Sequence, residues 1–298
     1  MIKISVVINT LNEEKNLPRA LNSVKYFADE IVVVDMHSVD NTAEIAEEAG
    51  AKVFEHRKMG YVEPARNFAI GKAKGEWIMI LDADEEINQS LCLKLRKIAE
   101  EKNCDYVAIP RKNIVFGKWL KHSRWWPDYN VRFFRKGKVK WDDKIHSIPE
   151  TSGKGIDLKA KEDNAIIHHN YNSISQFVQR MDRYTTVQSR ELLEQGYKFD
   201  WRDLIKQSLG EFISRYFKGY GYKDGVHGLA VSLLQSISEA LVYMKVWEAN
   251  GFKERSIEID DMVYEMRGSQ REMNYWIANL KVNQKNSLIE RIRRKLKV

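Results

Sequence analysis

Cysteine is nearly missing from this sequence: Cys92 and Cys104 are the only two in 298 residues. Their spacing matches no metal-binding pair, so neither a disulfide framework nor a zinc knuckle is supported, and a reducing compartment fits best. Long apolar runs are also lacking at the start. The stretch from Ile2 to Ile8 meets the polar Asn9 and is too short for a signal peptide or an anchor, so the expectation is a chain that begins and stays in the cytoplasm. A third absence is a glycine-rich phosphate loop after the first strands, which weighs against a dinucleotide-binding Rossmann domain and a P-loop enzyme. No internal repeat is visible.

What is present suits a globular protein: 43% hydrophobic content is enough for one large core or two modest ones. The formal net charge of +7 and a pI near 9.1 imply attraction to polyanions, whether nucleic acid, anionic lipid or a phosphorylated substrate. The first third alternates β-branched runs with amphipathic stretches: Ile2 to Ile8, Glu14 to Lys25, Ile31 to Val34, Thr42 to Ala49, Ala51 to Phe54. That rhythm predicts βαβ units and a mostly parallel sheet flanked by helices. A helix follows from about Pro64 to Ala73. The nearly continuous apolar run Glu76 to Leu81 reads as a strand buried on both faces, and Asn88 caps a helix reaching about Lys102. Further strands are expected at Tyr106 to Pro110 and Val131 to Arg135, within a middle, Arg111 to Glu150, that has little periodicity and reads as loop-rich. From about Ser173 long helical patterns take over, which suggests a boundary near Asn170 between residues 1–170 and a mainly helical region, 171–298.

The strongest local signal is Leu81-Asp82-Ala83-Asp84-Glu85-Glu86, directly after the most hydrophobic strand. Ligands of open α/β sheets bind at the carboxyl ends of strands. Four acids in five residues repel one another unless a cation is present, and hard oxygen ligands suit Mg²⁺ or Mn²⁺; a solvated acidic turn is the alternative. Thr10, Asn12 and Glu13 follow the first strand, and Asp35 ends the second with Ser38 behind it. These loops sit at equivalent strand ends and can converge on one crevice, where carboxylates and amides bind a base edge and ribose hydroxyls. Taken singly, Asp40 or Asn41 is a helix N-cap.

These motifs resemble those of family 2 glycosyltransferases with the GT-A fold: Val6 to Glu13, Glu30 to Asp35 with Ser38 and Asp40, Ala65 to Ala69, and Leu81 to Glu85. A later signature, Trp126 to Arg135 and then Ile145-His146, resembles the bacterial branch of lipopolysaccharide-core β-glucosyltransferases. The chain departs from that pattern at Asn130, where Gln is frequent, and at Ser147, where Glu is frequent. The resemblance implies inverting transfer of a hexose from a nucleoside diphosphate sugar, UDP-sugar favoured, to a glycan or lipid-linked acceptor. It also implies that Thr10, Glu13 and Asp35 hold the nucleotide, with Asp82 near the ribose, Asp84 as main metal ligand and Arg66 on the diphosphate or ordering the acidic loop. Trp126 and Arg132 belong to the acceptor side.

Asp128 is the candidate general base: it lies in the aromatic-rich loop Trp125-Trp126-Pro127-Asp128-Tyr129, where desolvation would raise its pKa and rings can stack on a sugar. A Pro-Asp turn residue is the alternative. His146 is a third metal ligand, a diphosphate donor or simply structural. The pair His168-His169 invites a metal reading too, but adjacent strand residues point to opposite faces. Trp119, Trp125, Trp126 and Trp141 form a carbohydrate platform or fill the core.

Two other functions compete. A nucleic-acid or polyanion-binding module explains the charge but not the acidic cluster, and no nucleic-acid motif is present, so no nucleic-acid partner is expected. A nucleotidyltransferase would carry a glycine-rich signature where Thr10 to Glu13 stand. The apolar stretch Gly228 to Trp247, interrupted by Gln235, Glu239 and Lys245, reads as an interfacial or buried helix rather than a spanning one. Lys285 to Val298 holds six basic residues against one acidic, with Leu288, Ile289, Ile292 and Leu296 at helical spacing. The expectation is a peripheral enzyme on an anionic membrane surface, with the C-terminal helices on lipid or on a second subunit.

Overall fold

Apolar strands and amphipathic helices alternate through the first hundred residues, and they fold as that alternation predicts. The computed structural model describes residues 3–57, 63–141, 149–285 and 288–296. In chain order the elements begin β1 (Ile4–Thr10), α1 (Leu17–Val24), β2 (Glu30–Asp35), α2 (Thr42–Glu48), β3 (Lys52–Glu55) and α3 (Glu63–Lys72). They continue as β4 (Trp77–Ile80), β5 (Glu85–Glu86), α4 (Gln89–Glu101), β6 (Tyr106–Val115), β7 (Lys118–Trp119), β8 (Asp128–Arg135), β9 (Val139–Lys140), β10 (Glu150–Thr151), β11 (Gly155–Asp157) and β12 (Ile166–Tyr171). Among the described residues the α-helices that follow are α5 (Ile174–Glu194), α6 (Arg202–Ile213), α7 (Val226–Ala249), α8 (Ile259–Lys285) and α9 (Leu288–Leu296), with a π-helical turn at Ser214–Lys218 and a 3-10 turn at Gly221–Asp224 between α6 and α7. Two compact units result, Met1–Ile114 with Pro127–Asn170, and Val115–Trp126 with Tyr171–Val298.

In the first unit the main sheet runs β3-β2-β1-β4-β8-β6-β12-β5. β1 pairs in parallel with β2 and β4, and β4 pairs antiparallel with β8. Every residue of β1 and of β4 is buried, as strands covered on both faces require. One face carries Ile4, Val6, Ile8, Met79 and Leu81 under α1 and α4. The other carries Val7, Val34, Ile78 and Ile80 under α3. α1 buries Leu17, Ala20, Leu21 and Val24, the stripe expected of a one-sided helix. Trp77 stacks on Phe133 at 4.6 Å within the first core, a pair whose truncation to alanine costs about 3–5 kcal/mol per ring. Gly75 admits the close approach of β4's entry to β1: its N–H donates to Ser5 Oγ at 2.8 Å, and a Cβ there would stand 2.6 Å from Ser5 N. Asn88 caps α4 as expected, its Oδ1 accepting from Leu91 N at 2.9 Å, and Lys102 ends that helix in the left-handed region.

The middle of the chain is more regular than its sequence suggests. β6 continues through Val115 and β8 begins at Asp128, so Arg111, Asn113 and Asp128 stand on paired strands rather than in a loop, with Arg111 opposite Asp128. Their polar faces hide the alternation that marks a strand.

The second unit is helical. Ser173 Oγ caps α5 by accepting from Gln176 N at 3.1 Å, and α7 packs against α5 and α6 while α8 packs against α6 and α9. α7 is long and apolar enough to cross a membrane by length and composition, with 22% of its most apolar window buried. Val226, Leu229, Leu233, Ile237 and Met244 are exposed along it.

Candidate active site

β1 and β2 end side by side, with Thr10 opposite Asp35. Asp35 is buried and accepts from Thr10 Oγ1 at 3.0 Å, from Ser38 Oγ at 2.6 Å and from Ser38 N at 2.8 Å. Asn12, in the left-handed region at φ 57°, donates its backbone N–H to Ser38 Oγ at 2.8 Å and accepts from Val39 N at 2.9 Å. Glu13 N donates to Thr42 Oγ1 at 2.8 Å. Thr10, Asn12, Glu13, Asp35 and Ser38 are thus one bonded cluster at two adjacent strand ends. Asp40 supplies the side-chain cap of α2, accepting from Thr42 N at 3.1 Å, and also holds Glu14 N at 3.2 Å; Asn41 makes no capping bond.

The acidic loop after β4 is neutralised by the protein itself. Asp82 is bound by Arg66 at 3.0 Å and by Arg132 at 2.5 Å. Glu85, fully buried, takes Arg132 at 3.0 Å and Arg111 at 3.4 Å, and also accepts from Asp82 N at 2.9 Å. Glu86 meets His169 at 2.9 Å, and Asp84 Oδ2 lies 3.6 Å from His168 Nε2. The repulsion between Asp82 and Glu85 is therefore offset by arginines of the protein itself, which the sequence argument did not foresee. Burial pushes the Asp82 carboxyl up, but Arg132 and Arg66 together hold it far below the usual range; the same carboxylates push Arg132 up against the opposing effect of its burial. Arg66 reaches the acidic loop through its pair with Asp82 and lies 5.8 Å from the Trp141 ring. Arg132, expected on the acceptor side, is buried and pairs with both Asp82 and Glu85.

Asp128 stands at the start of β8. Its Oδ2 accepts from Arg111 Nε at 2.9 Å and from Asn113 Nδ2 at 3.1 Å, and its Oδ1 from Asn130 Nδ2 at 3.2 Å. Desolvation pushes its carboxyl up, as foreseen, but Arg111's charge and the Asn113 and Arg111 hydrogen bonds outweigh it, and the net direction is down. The expected rise is thus corrected: Asp128 is an ionised carboxylate in a polar clamp. Asn130, a departure from the resembled pattern, is part of that clamp.

His168, set aside in the sequence as one of an adjacent pair, connects the acidic loop to the neighbours of Asp128. His168, on β12, sits across from Glu85 on β5 and is 7% exposed. Its Nδ1 is 2.6 Å from Asn113 Oδ1, and Asn113 donates its amide to Asp128. With that amide orientation Nδ1–H is the donor, and Nε2 is the ring nitrogen that faces the Asp84 carboxylate. An imidazole nitrogen and a carboxylate oxygen 3.6 Å apart are both of the ligand types that Mn²⁺ accepts. Strand alternation does send His168 and His169 to different partners, Asp84 and Glu86. It rules out a joint site and says nothing against His168 alone.

Among the described residues, no group of three or more His, Cys, Asp or Glu gathers at metal-binding distance. The donor set on hand is one carboxylate, Asp84, and one imidazole, His168. Such a set suits Mg²⁺ or Mn²⁺ when a diphosphate supplies the remaining oxygens. His146 lies outside the described residues. Trp141 is core, packed on Phe134 and receiving Asn67's amide at its carbonyl, and is no carbohydrate platform. Trp126 falls in the second unit, edge-on to Trp119 at 5.1 Å, with Lys121 4.1 Å over the Trp119 ring.

Residues 5–158 match the family model for glycosyl transferase family 2. The chain is 31% identical over 270 residues to an uncharacterized glycosyltransferase of Rickettsia typhi, covering 88% of this chain and 92% of that protein. It is 30% identical over 276 residues to another of Rickettsia conorii, covering 90% and 96%. Among solved structures it is similar to residues 1–349 of S. aureus TarS in complex with UDP, at 16% identity and TM-score 0.46 over 86% of this chain and 94% of that one. It is also similar to glucosyl-3-phosphoglycerate synthase from Mycobacterium tuberculosis in complex with Mn²⁺ and UDP-glucose, at 22% identity and TM-score 0.32 over 39% and 44%. The sheet flanked by helices, with acidic loops at its strand ends and a helical region after it, is of the GT-A type. The chain belongs to glycosyl transferase family 2.

Proposed function

We propose that this glycosyltransferase moves a hexose from a nucleoside diphosphate sugar, a UDP-sugar by preference, to a hydroxyl of a membrane-linked glycan or lipid acceptor, with inversion. The observation that carries the reading is the chain of contacts Asp84, His168, Asn113, Asp128, which ties the acidic loop to the candidate base. The cluster around Asp35 and Thr10 offers oxygens for the nucleoside, and Asp82 is oriented by Arg66 and Arg132 for a ribose hydroxyl. Asp84 and His168 are the residues that would hold Mg²⁺ or Mn²⁺, which when bound neutralises the departing diphosphate.

Asp128 takes the proton from the acceptor hydroxyl as that oxygen forms its bond to the anomeric carbon and the bond from that carbon to the diphosphate oxygen breaks on the opposite face. Its low pKa guarantees the ionised form at neutral pH, at the expense of driving force for proton transfer. Asn113, Arg111 and Asn130 keep the carboxylate aimed while it is unprotonated.

The membrane side of the proposal rests on the second unit. On α9, Ile289, Ile292 and Leu296 are exposed, and Arg291, Arg293, Arg294 and Lys295 accompany them. A basic amphipathic helix of this kind would keep the enzyme peripheral, at the cytoplasmic face, beside a lipid-linked acceptor; an acceptor of the lipopolysaccharide-core type fits the branch resembled. The test of the donor reading is a screen of nucleotide sugars with Mg²⁺, Mn²⁺ or chelator, following released nucleoside diphosphate. Metal-dependent release from a UDP-hexose is expected. Release that survives chelation, or none from any nucleotide sugar, overturns the metal or the donor assignment respectively.

A further inference from the structure

Asn9 occupies a position where the fold alone would favour an aliphatic residue. β1 sends Ile4, Val6 and Ile8 into one core and Val7 into the other. By the same alternation Asn9 falls on the face of Val7, the face covered by α3. It is 9% exposed, and neither its Nδ2 nor its Oδ1 has a hydrogen-bond partner. A buried amide with nothing to bond loses its hydration without compensation, so an orphan of this kind calls for an explanation outside folding.

Its position supplies one. Asn9 is opposite Val34 on β2, one step before the pair Thr10 and Asp35. On its other side, Leu81 N donates to Val7 O at 3.0 Å, and the next residue of that chain is Asp82. The amide therefore sits at the carboxyl ends of two neighbouring strands, between the strand that delivers Asp35 and the one that delivers Asp82. The polar groups of Thr10, Asp35 and Ser38 already bond one another. Both amide atoms of Asn9 remain unused.

We infer that Asn9 reads the base of the donor nucleotide, its Nδ2–H donating to a ring carbonyl and its Oδ1 accepting from the adjoining imide N–H. A side-chain amide offers a donor and an acceptor side by side, the complement of a uracil edge. This assignment rests on the donor-binding reading above. It adds that selectivity for the base comes from a buried amide that no protein group satisfies, so that a ligand lacking the base leaves it without a protein or ligand partner.

Calorimetry with Mn²⁺ on the full chain, comparing wild type with Asn9→Leu, tests it against two ligands, UDP and ribose 5-diphosphate, which lacks the base. Asn9→Leu is expected to weaken UDP about tenfold or more while leaving ribose 5-diphosphate unchanged. The melting temperature of the ligand-free variant should equal or exceed that of wild type, because an uncompensated polar group has been removed. Asn9→Ala gives the same pair of affinities should the larger residue prevent folding. Unchanged UDP affinity, or equal losses for both ligands, overturns the assignment of Asn9 alone. A wild-type protein that binds neither UDP nor ribose 5-diphosphate overturns the donor reading and this inference with it.

Discussion

The two units of this chain handle charge in opposite ways. The first, Met1–Ile114 with Pro127–Asn170, has 25 Lys and Arg against 26 Asp and Glu, and buries several of them. The second has 24 against 16, so the whole net positive charge of the protein belongs to it. Buried charges are retained only where partners offset their desolvation. In the first unit the offset is internal: Arg66, Arg132 and Arg111 alternate with Asp82, Glu85 and Asp128 in one network. The excess charge of the second unit is suited to attraction toward something outside the molecule. The first unit balances its charges internally, and the second carries a surplus of basic groups.

The comparison breaks most visibly at Arg132. Replacing it with Met leaves Asp82 and Glu85 short of their shared cation in a buried setting, and a loss of about 3–5 kcal/mol in unfolding free energy is expected by denaturant titration. A loss under about 1 kcal/mol, the range of exposed pairs, would show that the network is not load-sharing.

A smaller effect is expected at Arg111. Its charge opposes the upward push of burial on Asp128, so Arg111→Gln should raise that pKa. The base acts when ionised and is lost as pH falls, so the acidic limb of the kcat/KM profile should move to higher pH. An unmoved limb would detach Arg111 from the base.

The smallest effects belong to the second unit. A chain ending at Asn286 should lose salt-sensitive sedimentation with anionic liposomes, at roughly 1 kcal/mol per basic residue removed near the surface, while keeping nucleotide hydrolysis unchanged. Equal sedimentation of both chains would overturn the membrane contact proposed for α9.

Much of the first unit was legible because periodicity and position agree there. The β-branched runs of β1, β2 and β4 and the acids that follow them announce both a parallel sheet and the edge on which the candidate site lies. Asn88 announced its helix by the same local logic. The strands β6 and β8 were harder to read, because Arg111, Asn113, Asp128 and Asn130 put polar groups where a half-buried strand normally shows apolar ones. His168 was hidden for another reason: it is more than 80 residues from Asp84 in sequence, and only the antiparallel pairing of β12 with β5 brings them together. The direction of the Asp128 shift was equally out of reach, since the aromatic neighbours in sequence suggest desolvation while its guanidinium partner arrives across the sheet.

Asp128→Asn is the most direct test of the claim that this network aims a general base at an acceptor hydroxyl. Single-turnover transfer from the accepted nucleotide sugar, measured beside nucleotide affinity, should fall about 10² to 10⁴-fold with affinity for the nucleotide unchanged. Transfer at the wild-type rate by the folded variant would contradict the account and place the base elsewhere.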